Sequence, residues 1–293
     1  MSQRDIADRT NEAPGTGMLY VVATPIGNLD DLSARARTTL ASVDLIAAED
    51  TRHSATLLRH CGLSTRCIAL HEHNERDASD DLVRQMLAGK RIALISDAGT
   101  PLISDPGYRL VRAAREAGVK VSPIPGACAA IAALSVAGLP SDRFVFEGFL
   151  PPKSAARRAR LQELAGETRT LMFYESSHRI VDALEDFSAV FGGEARRLVL
   201  ARELTKHFET VLDGTVVEIA EQVARDPDQR RGEFVLLLAG ADEGDASARL
   251  AEGKRVYEML ARELPPSRAA KMAAEITGAP RSALYAAGAK SED

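Results

Sequence analysis

Three loops of the chain carry chemically useful side chains in unusual density. The longest is Asp97-Ala98-Gly99-Thr100-Pro101-Leu102-Ile103-Ser104-Asp105-Pro106-Gly107, directly after the apolar run Arg91–Ser96. Its glycines let the backbone approach a ligand closely, and its aspartates can accept from hydroxyl or ammonium groups. Helix-start chemistry explains part of it: Ser104 or Asp105 suits an N-cap with Pro106 at the first helical position. That leaves Asp97 and Gly99 without a structural reason. The second loop, Thr24-Pro25-Ile26-Gly27-Asn28-Leu29-Asp30, reads as a tight turn. In the third, Pro123-Ile124-Pro125-Gly126-Ala127-Cys128-Ala129-Ala130, a Pro-Gly turn opens a helix of small residues. Small side chains there leave room for a flat ligand or serve close helix–sheet packing.

Histidine and arginine clusters add further candidates. His71-Glu72-His73-Asn74-Glu75 has metal-ligand types, but no second cluster completes a coordination set, so no metal is expected and substrate contact or loop structure fits better. Glu49-Asp50-Thr51-Arg52-His53 reads as a helix start capped by Asp50 or Thr51, with Arg52 free to pair an acid or touch substrate. Lys153, Arg157, Arg158 and Arg160 place four cations within eight residues without an acid. Such a run is either a solvated helix face or a phosphate-binding surface.

The elements needed to hold these loops follow from periodicity. In the first half short β-rich runs (18–23, 43–48, 67–70, 91–96, 119–123) alternate with helical patterns (32–41 capped by Asp30 or Asp31, 51–60, 80–87, 106–117). This implies βαβ units and a largely parallel sheet, with ligands at the carboxyl ends of the strands. The second half has closer-spaced strands at 144–147, 169–174, 197–201, 209–212, 216–219 and 234–239, which implies a mixed sheet with antiparallel pairs. Gly148–Lys153 (GFLPPK) reads as a linker because paired prolines resist helix and central strand. After the acidic break 241–248 only helices are expected, one of them capped by Ser267, and a helix–Gly-Ala-Pro–helix arrangement there resembles a helix-turn-helix. The expected division is a flexible tail over 1–17, an α/β domain over 18–124, a second α/β domain over 125–240 and a helical appendage over 241–293.

Composition excludes several classes. Of 293 residues 45% are hydrophobic and 27% charged, which suits a folded globular chain rather than a disordered one. Three cysteines, Cys61, Cys67 and Cys128, build neither a disulfide framework nor a zinc cage, and reduced thiols in a cytoplasmic protein are expected. No run is apolar for the roughly 20 residues of a membrane span, and no secretory leader is visible. The net charge of −5 argues against a dedicated nucleic-acid-binding protein overall. No G-x-G-x-x-G follows a strand, and the P-loop, G-x-S-x-G and H-E-x-x-H patterns are absent.

VATPIGNLDD, AAEDTRHS, HEHNE, LISDAGTPLISDPG, PIPGACAAIAAL, EGFLPPK, FYESSHRI and ARELTKHFE, in this order, resemble the bacterial 16S rRNA (cytidine 1402-2′-O)-methyltransferases of the tetrapyrrole methylase superfamily. The likeness covers about residues 18–240 and the helical tail. It departs at Ser177, where the family more often has proline. The resemblance implies two α/β domains with S-adenosylmethionine in a cleft between them, a homodimer, and no metal. It implies cofactor contacts at Pro25, Asp97, Ala98, Gly99, Thr100, Cys128, Ala129, Tyr174 and Glu175, with Leu204 and Glu233 as weaker carry-overs. Its substrate would be 16S rRNA in the small ribosomal subunit. Arg52, His71, Asn74, Lys153, Arg157, Arg158 and Arg160 are then the candidate RNA contacts.

A ribose hydroxyl is a poor nucleophile until its proton is leaving, so a general base or a cation beside the forming alkoxide would help. Lys206, Arg179, His73 and Glu49 are candidates, and sequence does not rank them. Two other readings stay open here: a C-methyltransferase of tetrapyrrole precursors, which would not need the basic run at 153–160, and a non-enzymatic RNA-binding protein, for which the Asp97 loop would be dispensable. An oxidoreductase lacks its glycine-rich fingerprint.

Overall fold

The computed structural model describes residues 17–71 and 74–289, so residues 1–16 of the expected tail lie outside the described residues. The chain divides into two compact units, Met1–Cys128 and Ala129–Asp293.

In the first unit the elements run β1 (Met18–Val22), α1 (Ala34–Ser42), β2 (Leu45–Ala48), α2 (Thr51–His60), β3 (Cys67–Ala69), α3 (Glu75–Leu87), β4 (Arg91–Ile95), α4 (Tyr108–Glu116) and β5 (Lys120–Ile124). All strand pairs are parallel, in the order β3-β2-β4-β1-β5. Alternation on β4 explains the layering. Ile92 and Leu94 join Leu82, Met86, Leu110 and Ala114 of α3 and α4 in one core, while Ala93 and Ile95 join Ala36, Leu40 and Leu58 of α1 and α2 in another. Helices therefore cover both faces, and such strands are apolar throughout. The central strands β4, β1 and β5 end side by side, and the three chemically rich loops leave from their carboxyl ends.

Helix starts differ from expectation in two places. Ser33, not Asp30 or Asp31, caps α1; the aspartates instead form a short 3-10 turn capped by Asn28. Neither Ser104 nor Asp105 caps α4. That helix begins two residues after Pro106, and the buried Glu75 of α3 accepts from the Gly107 and Arg109 N–H groups at 3.1 and 2.7 Å. The cap thus comes from 32 residues away. It also sets the start of α3, which opens at Glu75 rather than near Asp80.

The second unit contains α5 (Ala129–Val136), β6 (Phe144–Phe149), α6 (Ser154–Glu163), β7 (Thr170–Ser176), α7 (Ile180–Phe191), β8 (Arg197–Arg202), β9 (Thr210–Thr215), α8 (Val216–Arg225), β10 (Glu233–Leu238), α9 (Glu243–Leu260), α10 (Pro266–Thr277) and α11 (Arg281–Ala289). Its sheet has the order β6-β7-β10-β8-β9, with β6 and β7 parallel and the other pairs antiparallel. Phe173, Phe187 and Phe191 anchor its main core, beneath α6, α7 and α8. The run Val216–Ile219, expected as a strand, is the first turn of α8. Thr215 and Glu218 form a capping box there, and Val216, Ile219 and Val223 are buried at helical spacing. Gly148 and Phe149, expected in the linker, complete β6 beyond an irregularity at Phe146/Gly148. Pro266, rather than Ser267, opens α10. Helices α9 to α11 enclose a small core of their own around Tyr257, Ala270 and Leu284.

Because Glu75 holds two otherwise orphaned N–H groups at a buried helix start, Glu75→Ala should lower unfolding free energy by about 1–3 kcal/mol. Ser104→Ala should leave it within about 0.5 kcal/mol. Urea unfolding followed by circular dichroism measures both.

Candidate active site

The first unit's candidate site is assembled by one tie between strand ends. Thr24 is buried just past β1. Its N–H donates to the Gly99 carbonyl at 2.8 Å, and its hydroxyl lies 3.1 Å from the Ser96 carbonyl and 3.3 Å from that of Gly99. Thr100 Oγ1 donates to the Ala127 carbonyl at 2.9 Å, joining the β4 loop to the β5 loop. Gly99 has φ of +89°, and a Cβ there would stand 3.1 Å from Ile26 Cγ2. A Cβ on Gly126 would stand 2.9 Å from Ala23 Cβ. These two glycines are therefore required by a left-handed turn and a close approach. Pro25 is buried, Ala98 is exposed, and Asp97, Thr100 and Cys128 are half-buried. The loops thus bring Pro25, Asp97, Ala98, Gly99, Thr100 and Cys128 to one end of one sheet.

Carboxylates dominate this end. Asp97 Oδ1 accepts from the Asp50 N–H at 3.1 Å. Burial, then the charge of Asp97, pushes Glu49 above its ordinary range. Burial raises Asp105 to about 6; the nearby charges of Glu49 and Asp97 add to that rise, against a hydrogen bond from Ser96. A cationic group would be welcome here, since it would relieve mutual repulsion.

In the second unit Tyr174 lies near the end of β7. Its hydroxyl accepts from the Ala130 N–H at 3.1 Å, in the first turn of α5, and its ring meets Phe146 and Phe149 edge-on. Ala129, half-buried, is the first residue of that helix. Glu175 is buried, and its Oε2 has no hydrogen bond, although Arg179 stands 3.2 Å away. Burial raises the Glu175 carboxyl despite Arg179 and the Ser176 N–H. Arg179 also donates to the Leu150 carbonyl at 2.6 Å, so it straps the segment after β6 to the end of β7.

Half-buried Leu204 sits in a hairpin loop between Glu203 and Thr205, both at positive φ. Lys206 Nζ lies 2.8 Å from Glu203 Oε1 and 2.8 Å from Oε2 of the exposed Glu233. Burial alone would lower Lys206, but the two carboxylates outweigh it and hold the ammonium above its ordinary range. Among the four candidates Lys206 is therefore a cation, not a base. His73 lies outside the described residues.

The basic run requires a correction. Arg157 is only 2% exposed, and its Nε donates to Asp186 Oδ2 at 2.7 Å. Arg158 also pairs with Asp186, and Ser154 donates to the same carboxylate at 2.8 Å. Burial pushes Asp186 up, yet these three hydrogen bonds outweigh it and keep the carboxyl below its ordinary range. Arg160 pairs with Glu147 at 2.7 Å and Glu163 at 3.0 Å. Arg157 is a core residue, unable to touch RNA without unfolding its surroundings. Of the four, Lys153 is exposed, and the half-exposed Arg158 and Arg160 are already neutralised. The local excess of positive charge vanishes once partners distant in sequence are counted.

The other basic-cluster candidates are partly committed as well. Arg52 is exposed and paired with Asp50 at 3.0 Å. Asn74 accepts from the His71 N–H at 2.9 Å and donates to the Ala69 carbonyl at 3.1 Å, so it shapes its own loop, beside an exposed His71. No group of three or more potential metal ligands occurs among the described residues. None of their helices is long and apolar enough to cross a membrane.

Comparison with known proteins now decides the family. Residues 18–220 match the Tetrapyrrole (Corrin/Porphyrin) Methylases, and residues 247–290 match the RsmI C-terminal HTH domain. The ribosomal RNA small subunit methyltransferase I of Xylella fastidiosa (strain Temecula1) is 59% identical over 272 residues, covering 93% of this chain and 98% of that protein. The chain belongs to the ribosomal RNA small subunit methyltransferase I family. The member from Escherichia coli O157:H7 is 53% identical over 287 residues, 97% of either chain. A uroporphyrin-III C-methyltransferase from Thermus thermophilus, solved with S-adenyl homocysteine, shares the fold at 17% identity and a TM-score of 0.53, over 76% of this chain and 97% of that one. The chain is thus a methyltransferase, with the two α/β sheets and helical C-terminal region of this family.

The residues that sequence reasoning missed are Thr24, Glu203 and Asp186. Each acts through a partner remote in the chain, and only Thr24, at a strand end, had a local signal.

Two outcomes test this description. Arg157→Ala should strand Asp186 unpaired in the core and cost about 3–5 kcal/mol of stability, whereas Lys153→Ala should cost under about 0.5 kcal/mol. Asp105, raised from 3.8 to about 6, opposes folding as it ionises. That loss begins above the unfolded value and is complete once pH passes the folded one. Asp105→Asn should therefore raise the melting temperature at pH 8, with the gain disappearing near pH 4.

Proposed function

We propose that the chain transfers the methyl group of S-adenosylmethionine to the 2′-oxygen of a cytidine ribose, position 1402, in 16S rRNA of the small ribosomal subunit. The observation that carries this reading is near-full-length identity above 50% to ribosomal RNA small subunit methyltransferases I, combined with the Asp97–Thr100 loop held by Thr24. The reading places the enzyme in the cytoplasm as a homodimer. A tetrapyrrole precursor is the lesser alternative, because the solved C-methyltransferase shares the fold at only 17% identity. A purely RNA-binding role leaves the carboxylate-rich loop end without use.

The residues suit the cofactor chemically. S-adenosylmethionine carries a sulfonium and an ammonium, and the unrelieved carboxylates of Glu49, Asp97 and Asp105 supply a complementary field. Pro25, Asp97, Ala98, Gly99, Thr100 and Cys128 are the proposed contacts in the first unit, and Ala129, Tyr174, Glu175 and Leu204 those in the second. Glu233 acts indirectly, by holding Lys206. When bound, the cofactor supplies an electrophilic methyl group, and the protein supplies position and field. The ribose O–C bond forms as the S–C bond breaks, and the hydroxyl proton must leave.

Two side chains share that task. Glu49, whose burial makes it a better proton acceptor than an ordinary carboxylate, takes the proton. Lys206, kept charged by Glu203 and Glu233, stabilises the developing alkoxide. Arg179 positions the segment following β6 rather than reacting. Arg52, His71, Lys153, Arg158 and Arg160 remain the proposed RNA-facing groups, with Asn74 shaping the loop of His71.

The direct experiment uses labelled S-adenosylmethionine and small ribosomal subunits from cells lacking the protein. Label should appear in 2′-O-methylcytidine. Asp97→Ala should abolish both labelling and cofactor binding by calorimetry. Lys206→Met should keep cofactor binding and lower kcat about 10²-fold or more. Label confined to a tetrapyrrole, or none in RNA with cofactor binding intact, would refute the rRNA reading.

A further inference from the structure

The hairpin loop between β8 and β9 is held unusually firmly, yet it presents an aromatic pair to solvent. Glu203 has φ of 50° and Thr205 has φ of 66°. For a β-branched residue this is a true outlier, and such strain persists only where the surroundings over-determine the backbone. They do so here. Glu203 Oε1 accepts from the Glu233 N–H at 3.0 Å and from Lys206 Nζ at 2.8 Å. Glu209 Oε2 accepts from the Thr205 N–H at 2.6 Å. The buried Arg202 donates to the Arg231 carbonyl at 2.6 Å and to the Phe208 carbonyl at 3.0 Å. Gly232 runs so close to Glu203 that a Cβ there would lie 2.5 Å from its carboxyl carbon.

What this scaffold displays is Phe208, with 66% of its surface exposed, packed edge-on against the His207 ring at 4.7 Å between centroids. Arg202 fixes the Phe208 backbone but leaves the ring in water. The residues beside it, His207 and Glu209, are exposed and polar. A protein interface would need a contiguous apolar patch at its core. One ring in a polar surround instead matches the flat face of one unpaired base, which stacks on aromatic side chains without a demand for base identity. Lys206, two residues away, is the cation proposed to serve the reacting oxygen. Base stacking and methyl transfer would thus be mounted on the same rigid turn.

We propose that Phe208, braced by His207, is a stacking platform for an unpaired base of the RNA substrate. This rests on the rRNA reading given above. No covalent step is involved: the platform raises the affinity for substrate and leaves cofactor binding alone.

The test uses the full-length protein, unmethylated small ribosomal subunits and saturating S-adenosylmethionine. Phe208→Ala and Phe208→Leu should each raise KM for subunits by about tenfold, and Phe208→Trp should stay within about twofold of the parent. Cofactor affinity by calorimetry and the sedimentation coefficient should not change in any of the three. KM unchanged in Phe208→Ala would overturn the platform while leaving the rRNA reading intact. So would full activity in Phe208→Leu, because bulk rather than a π face would then suffice. A change in sedimentation would assign the ring to contact between copies of the chain instead. A parent enzyme that binds cofactor but labels no RNA would overturn the rRNA reading, and the platform with it.

Discussion

The tie from Thr24 to Gly99 is the constraint on which the candidate site depends. Parallel strands deliver loops to the same end of a sheet, but they do not lock those loops to one another. Here the β1 loop donates twice into the turn after β4, and Thr100 extends the tie to the turn after β5. A buried carbonyl left without a donor would cost more than the bond itself contributes, so the three loops move as one body. Gly99 fits because only a residue without Cβ adopts its φ of +89° that close to Ile26. The carboxylates Glu49, Asp97 and Asp105 are then held near one another without enough hydrogen bonds to quiet them. Their upward displacement is a cost accepted at a place where a cation is expected to bind.

The second unit solves a different problem. Its sheet is mixed, so hairpin ends supply the chemistry instead of βα turns. Arg202, Glu203, Lys206, Glu209 and Glu233 form one network around a strained turn, and every carboxylate in it has a cation or an N–H to hold. Rigid placement of this sort favours reactions whose main demand is alignment, because the entropy of positioning is met during folding.

Most of the architecture was legible in the sequence because parallel buried strands such as RIALIS are apolar throughout and bounded by glycine and proline. The failures share one cause. Val216–Ile219 carries β-branched residues that look like strand, but the capping box of Thr215 and Glu218 decides for helix. Ser104 and Asp105 look like caps for α4, but Glu75 arrives from α3. Arg157 looks like part of a phosphate-binding face, but Asp186, 29 residues on, draws it into the core. Local chemistry proposes partners, and tertiary packing chooses among them. Site residues were legible where several of them sit in one loop, as at 97–100. They were not legible where a single residue acts through a distant partner, as with Thr24 and Glu203.

The most direct test of this account is the affinity of a Thr24→Val variant for S-adenosylmethionine, measured by calorimetry on cooperatively folded protein. Valine keeps the shape and removes only the hydroxyl donor, so little else changes. The account predicts that affinity falls by about tenfold, the equivalent of one lost buried hydrogen bond of about 1.4 kcal/mol. Affinity within about twofold of the parent would show that the loops hold their places without the tie, and would contradict it.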